Sequence, residues 1–160
     1  MYSLRLMASK NARLFEIAYN LVDPFLHALD PLWRKIGYDR AEKPFAVVEE
    51  LAKGLFFDCQ MCGRCTLNST GMTCPMNCPK DIRNGPCGGV RADGNCEIKP
   101  DMRCVWMEAW RGSEKMKGGG KINNIMPPVD HTIKGTSAWL RVIREDNAAK
   151  EKASEDGSGI

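Results

Sequence analysis

No cysteine stands before position 59 or after position 104, although the chain of 160 residues contains eight. There are only two histidines, His27 and His131, so imidazole is a minor resource for ligation or for acid–base work. No apolar run approaches the roughly 18 residues of a membrane helix, which excludes a spanning helix. A basic stripe is missing too. Residues 1–58 carry 8 Lys/Arg against 8 Asp/Glu, residues 59–118 carry 9 against 6, and residues 119–160 carry 6 against 6. The net charge of +3 is thus too dilute for a nucleic-acid footprint. Met1 to Asn20 has Arg5, Lys10 and Arg13 but no unbroken apolar core, so it does not read as a secretory signal. Glu16 and Asp23 speak against a transit peptide. The expected compartment is the reducing cytosol, where clustered thiols more often hold metal than pair as disulfides.

What is present is a constellation. Cys59, Cys62 and Cys65 follow one another at Cys-x2-Cys-x2-Cys spacing, and Cys74, Cys78, Cys87, Cys96 and Cys104 come after them. Three thiolates on one tight turn suit three corners of a cubane and match the opening of a bacterial ferredoxin run. The fourth ferredoxin cysteine is missing at its usual spacing, so Cys74, Cys78 or a later cysteine must complete the set. Eight thiols allow two four-cysteine sites, or one cluster with one zinc, and spacing does not decide the partition. A structural zinc would use paired knuckles such as Cys62-Gly63-Arg64-Cys65 and the glycine-rich turn at Cys87. Glycines around the ligands let backbone N–H groups approach sulfur and spread its charge. Lys80, Arg83 and Arg103 are candidates to screen the centre further. Free catalytic thiols would not come in eights, and no His or Asn pairs with one.

The flanks read as helix and arm. Leu14, Ala18, Leu21, Phe25 and Leu29 recur at spacings of three and four, predicting a helix over 6–29 that Pro24 kinks or restarts. Asp30-Pro31 predicts a short second helix ending at Gly37. A third is expected from about Pro44 to Gly54, burying Phe45, Val48, Leu51 and Ala52. These stripes call for burial on the cysteine module or on another chain. Trp106 and Trp110 share a helix face. Gly118-Gly119-Gly120 is a flexible break, and Ile122 to Thr136, with Pro127-Pro128, is extended. Ser137 caps a last helix bearing Trp139, Leu140, Val142 and Ile143, and a polar tail frays from Asn147. The arm from Ile122 is expected to wrap a partner, with Trp139 as anchor; the alternative is that it folds back on its own domain.

The motifs, in order, resemble a known family. They are Cys74-Pro75-Met76-Asn77-Cys78-Pro79-Lys80, Arg83-Asn84-Gly85-Pro86-Cys87-Gly88-Gly89, Gly94-Asn95-Cys96-Glu97 and Cys104-Val105-Trp106. Pro127-Pro128-Val129-Asp130-His131 and Gly135-Thr136-Ser137-Ala138-Trp139 join them. The sequence is similar to the methylenetetrahydrofolate reductase C-terminal domain family over about residues 50–145. That family includes the small cysteine-rich subunit of heteromeric reductases. The resemblance implies a metal-carrying subunit that passes electrons, while a separate flavin-bearing barrel subunit reduces the folate. This chain has no phosphate-binding glycine loop after a strand and no room for a barrel of roughly 250 residues.

The expected fold is therefore a small, irregular, α-rich, metal-bound one. It comprises N-terminal helices (1–54), a cysteine-rich metal-binding loop module (55–117), and an extended arm with a C-terminal helix and tail (118–160). Its expected role is that of an iron–sulfur, electron-transfer subunit with one or two 4Fe-4S clusters on the eight cysteines. Its expected partner is a flavin-dependent methylenetetrahydrofolate reductase catalytic subunit in a cytoplasmic hetero-oligomer, with neither nucleic acid nor membrane as partner. The alternative is a structural zinc subunit that organises the partner without electron transfer. A freestanding ferredoxin-like carrier fits less well with a pI near 8.4 and a wrapping arm.

Overall fold

Residues 2–156 are described by the computed structural model. Four helices fill nearly all of the N-terminal third: α1 (Tyr2–Lys10), α2 (Ala12–Ala28), α3 (Asp30–Ile36) and α4 (Tyr38–Phe57). The single helix expected over 6–29 is two, broken at Asn11. That residue leaves the helical region at φ −110°, and its side-chain amide donates to the Met7 carbonyl at 2.9 Å. Asn competes locally for backbone groups, which is why the break falls there. Pro24 neither ends nor restarts α2, which runs through it. The helix expected between Asp30-Pro31 and Gly37 is found, and Gly37 closes it at φ +89°, a conformation that glycine adopts without strain.

α4 departs most from expectation. It starts at Tyr38, includes Pro44, and passes Gly54 to end at Asp58, a left-handed residue at φ 53°. Its last turn is held by aromatic packing, with Phe56 and Phe57 lying 5.5 and 5.3 Å from the Phe15 ring. Phe45 packs half-buried against Trp33 and Trp139, but the rest of the expected stripe faces outward. The residues it buries are Ala41, Ala46, Glu49 and Lys53, whereas Val48 is 60% and Leu51 75% exposed. α2 repeats the pattern, burying Ala12, Glu16 and Leu26 while Leu14, Leu21 and Phe25 face solvent.

Three apolar clusters hold the molecule. Ala12, Leu67, Met72, Cys74 and Met116 form the first, with Phe15, Tyr19 and Phe57 against it. Leu26 and Ala41 meet Leu140 and Ile143 of the C-terminal helix α6 (Ala138–Asp156) in the second. Cys104, Trp106, Ala109 and Met126 form the third, which involves α5 (Val105–Ser113). Between α4 and α5 the chain is loop and short 3-10 turns. Among the described residues its only β pairing is two isolated bridges, Val90 with Cys96 and Asn95 with Arg103. Gly71, at φ +58°, and Gly112 bring this loop onto α5 so closely that a Cβ on either would strike the other's backbone. Trp106 is buried and donates its indole N–H to the Ile82 carbonyl at 3.1 Å; Trp110, on the same helix, is half exposed.

The segment after Gly118 folds back on its own chain, the alternative to a partner-wrapping arm, although Ile125 stays 91% exposed. Met126 is buried and exchanges two 2.8 Å hydrogen bonds with the Asn84 side chain. The Gly118-Gly120 stretch is partly tied down, since the Gly118 N–H donates to Glu16 Oε1 at 2.8 Å. Ser137 caps α6 as expected, its Oγ accepting from the Leu140 N–H at 3.2 Å. α6 then extends to Asp156, through most of the tail expected to fray from Asn147; the remainder lies outside the described residues.

Candidate metal centre

The cysteine loop begins where α4 stops. Asp58, Met61 and Gly63 all have positive φ, at 53°, 44° and 75°. Three left-handed residues in so short a stretch curl the chain and carry Cys59, Cys62 and Cys65 round one turn. Gly63 is required by its neighbour as well as by its φ, since a Cβ there would run into Ile133. A 2.8 Å hydrogen bond from the Gly135 N–H to the Met61 carbonyl lays the C-terminal segment over the loop.

Cys74 joins these three from the first apolar cluster. Cys59, Cys62, Cys65 and Cys74 line one small chamber, together with Glu49 and Lys53 of α4. Their proximity shows in their acidities as free thiols. Burial, and then the charges of Cys65 and Cys62, push Cys59 up to about 11. Burial, followed by Cys59, Cys65 and Cys62, pushes Cys74 up to about 12. Cys59 and Cys74, so raised, need positive charge nearby to be held as thiolates. Donors are in place. The Met61 N–H lies 3.4 Å from Cys59 Sγ, and the buried Arg83 guanidinium donates to Cys62 Sγ at 3.6 Å and to the Arg64 carbonyl at 2.7 Å.

The wall opposite the loop is polar. Lys53, 2% exposed, donates to Glu49 Oε1 at 2.6 Å, and Glu49 is 1% exposed. The Lys53 ammonium lies 4.4 Å from the centre of the Trp139 ring. Glu49 Oε2 accepts from Ser137 Oγ at 2.5 Å and from the Trp139 N–H at 3.3 Å. Burial works against the charge on Lys53, but the negative charges of Cys65 and Glu49 outweigh it and hold the ammonium above the usual lysine range.

The other four predicted ligands lie elsewhere. Cys78 is buried at the end of the 3-10 turn Pro75–Asn77. Cys87 and Cys96 face Lys80, whose ammonium is held up first by its hydrogen bond to Glu97 and also by those two thiols. Cys96 and Cys104 sit on paired strands of loop, with the Cys96 N–H bonded to the Met102 carbonyl and the Cys104 N–H to the Gly94 carbonyl. Among the described residues no three Cys, His, Asp or Glu side chains close on a single ion-sized point. Of the three basic residues expected to screen the centre, Arg83 reaches a cysteine of the chamber and Lys80 lies near the second group. Arg103 instead binds the Asp93 carbonyl at 2.7 Å and Glu108 at 3.3 Å. Sequence reasoning missed Glu49 and Lys53. Their only signal was an i,i+4 acid–base pair, which on most helices is a solvated one.

Comparison with known proteins adds one finding. A family model described as methylene-tetrahydrofolate reductase C terminal matches residues 38–132, from the start of α4 through all eight cysteines to the turn that covers the loop. No curated relative and no solved structure matches the chain.

Proposed function

This chain belongs to the methylene-tetrahydrofolate reductase C-terminal family, and we propose that it is the iron–sulfur accessory subunit of a methylenetetrahydrofolate reductase-type flavoenzyme. In this reading it relays electrons to the flavin of a separate catalytic subunit. The observation that carries the reading is the shared chamber of Cys59, Cys62, Cys65 and Cys74. Its donor set is all sulfur, and the one carboxylate on its wall, Glu49, is already engaged by Lys53 and Ser137. Such a set fits a thiolate-bound cluster, which when bound supplies one-electron transfer. The chain's own residues do the rest. The four thiolates would hold the group, the Met61 N–H and Arg83 donate to the sulfurs of Cys59 and Cys62, and Phe57 and Leu67 line the chamber wall.

The exposed faces of α2 and α4 support the accessory role. Leu14, Leu21 and Phe25 on one helix and Val48, Leu51 and Leu55 on the other stand in solvent. Soluble monomers rarely leave such apolar surface open, whereas a subunit covers it with its partner. The α4 face leads directly to the chamber, since Leu51, Leu55, Asp58 and Cys59 line one groove. A flavoprotein seated there would lie beside the thiol set.

The deciding experiment is iron, zinc and acid-labile sulfide analysis of anaerobically purified protein, with its visible spectrum. Iron and sulfide in equal amounts with broad visible absorption are expected. Stoichiometric zinc without sulfide would overturn electron transfer in favour of a structural zinc subunit.

A further inference from the structure

Lys53 is an unusual residue to find at a site lined by thiols. It is almost fully buried, yet among the described residues its one hydrogen-bond acceptor is Glu49 Oε1. An ammonium carries three donors. The Trp139 ring covers one side of it without accepting a conventional hydrogen bond. Donor capacity therefore remains on a buried cation that shares its chamber with Cys59, Cys62, Cys65 and Cys74. Leaving such capacity unmet away from water is costly.

Glu49 does not simply cancel this charge. Its second oxygen is held by Ser137 Oγ and by the Trp139 N–H, and Ser137 is the cap of α6. The carboxylate thus sits at the N-terminal end of a helix running from Ala138 to Asp156, where the helix dipole offsets negative charge. The helix terminus takes one side of Glu49 and the lysine takes the other. The ammonium's charge is left for the thiol set.

We propose that Lys53 is the charge-compensating residue of the centre formed by Cys59, Cys62, Cys65 and Cys74, supplying positive charge beside its sulfur atoms. This rests on the iron–sulfur reading above. A cation beside a cluster favours the reduced, more negative state, and hydrogen bonds to sulfur act in the same direction. Lys53 therefore raises the reduction potential of this centre. It acts through the ligands and is a positioning residue, not a catalytic one.

The test is an anaerobic redox titration of the full-length protein, followed by electron paramagnetic resonance, with iron and sulfide assayed on every sample. Three variants are compared: Lys53→Met, Lys53→Arg, and the double variant Glu49→Gln with Lys53→Met. The double variant leaves no lone buried carboxylate, so it keeps the test open if Lys53→Met folds poorly. The expected result is a lower midpoint potential in both charge-removing variants, or failure of both to assemble the centre, with Lys53→Arg close to wild type. An unchanged potential at full iron content in either charge-removing variant would overturn the proposal. So would loss of iron from Lys53→Arg as well, since shape and not charge would then be what the site requires. Wild-type protein with zinc and no sulfide would instead overturn the iron–sulfur reading itself, and this inference with it.

Discussion

Glu16 is a buried carboxylate that fastens two distant parts of the chain. It accepts the Lys117 N–H at 2.9 Å and the Gly118 N–H at 2.8 Å, and Arg13 lies 2.6 Å away. Burial alone would raise its pKa, but those two backbone donors and Arg13 hold it below the usual glutamate range. A lowered folded-state pKa contributes stability that is present above the unfolded value, about 4.3, and is lost as pH falls through the folded value. Glu16→Gln is therefore expected to be about 1–2 kcal/mol less stable near pH 7, because two buried N–H groups lose a charged acceptor. The deficit should shrink as the pH is taken below about 4. Thermal unfolding of both proteins across pH checks this; a deficit that stays constant to about pH 3 would mean that the carboxylate charge is not its source. At the same scale, if the proposed cluster is present, Cys74→Ser is expected to abolish it, leaving sulfide content reduced. Full iron and sulfide in that variant would remove Cys74 from the set.

Helices α2 and α4 each carry apolar residues on the side away from the core, whereas the C-terminal segment buries Met126, Leu140 and Ile143 and leaves Ile125 91% exposed. On the function proposed above, this moves the docking surface from the C-terminal arm to the two helices. Trp139, expected as an interface anchor, stacks edge-on against Phe45 at 6.2 Å and covers Lys53 at 4.4 Å. Trp139→Ala is accordingly expected to destabilise the isolated chain by about 3 kcal/mol, as loss of a core aromatic does. Denaturant unfolding of the chain alone measures this, and an unchanged midpoint would contradict the packing described. Leu21→Glu with Leu51→Glu should behave oppositely. Both positions are largely exposed, so the fold should survive, while binding to the proposed flavoprotein partner should weaken by about 2 kcal/mol or more if either is a central contact. Circular dichroism and size-exclusion co-elution separate the two effects. A complex of undiminished stability would show that the partner sits elsewhere.

In the whole molecule, regular structure is confined to the two ends and α5, while the stretch between α4 and α5 holds all eight cysteines with only short 3-10 turns and two bridges. Such a segment has few backbone bonds of its own to resist opening, so a bound metal centre would carry much of its stability. Removing metal by anaerobic chelation is expected to make residues 58–104 sensitive to protease while most helical circular dichroism persists. Identical digestion before and after chelation would mean that this module folds without metal. Among the described residues no helix is long and apolar enough to cross a membrane.

Much of this was legible without coordinates because it depends on local chemistry. Asp30-Pro31 and Gly37 bound α3 through φ preferences that belong to those residues. Ser137 caps α6 for a similarly local reason. The family was legible because the cysteine motifs keep their order and spacing, and the matched segment of 38–132 overlaps the one those motifs mark out. Which way a helix faces is not local. The spacing of Val48 and Leu51 predicts an apolar stripe, but a stripe alone does not say whether the chain's own core or another surface covers it. Glu49 and Lys53 face inward because the loop brings four thiols to that side and α6 brings Ser137 and Trp139, contacts made across 88 and 90 residues of chain for Ser137 and Trp139. The grouping of Cys74 with Cys59, Cys62 and Cys65 likewise awaited the tertiary structure. Spacing leaves Cys74, Cys78 and the later cysteines equivalent, and only the packing of Met72 and Cys74 under Ala12 and Leu67 turns Cys74 toward the loop.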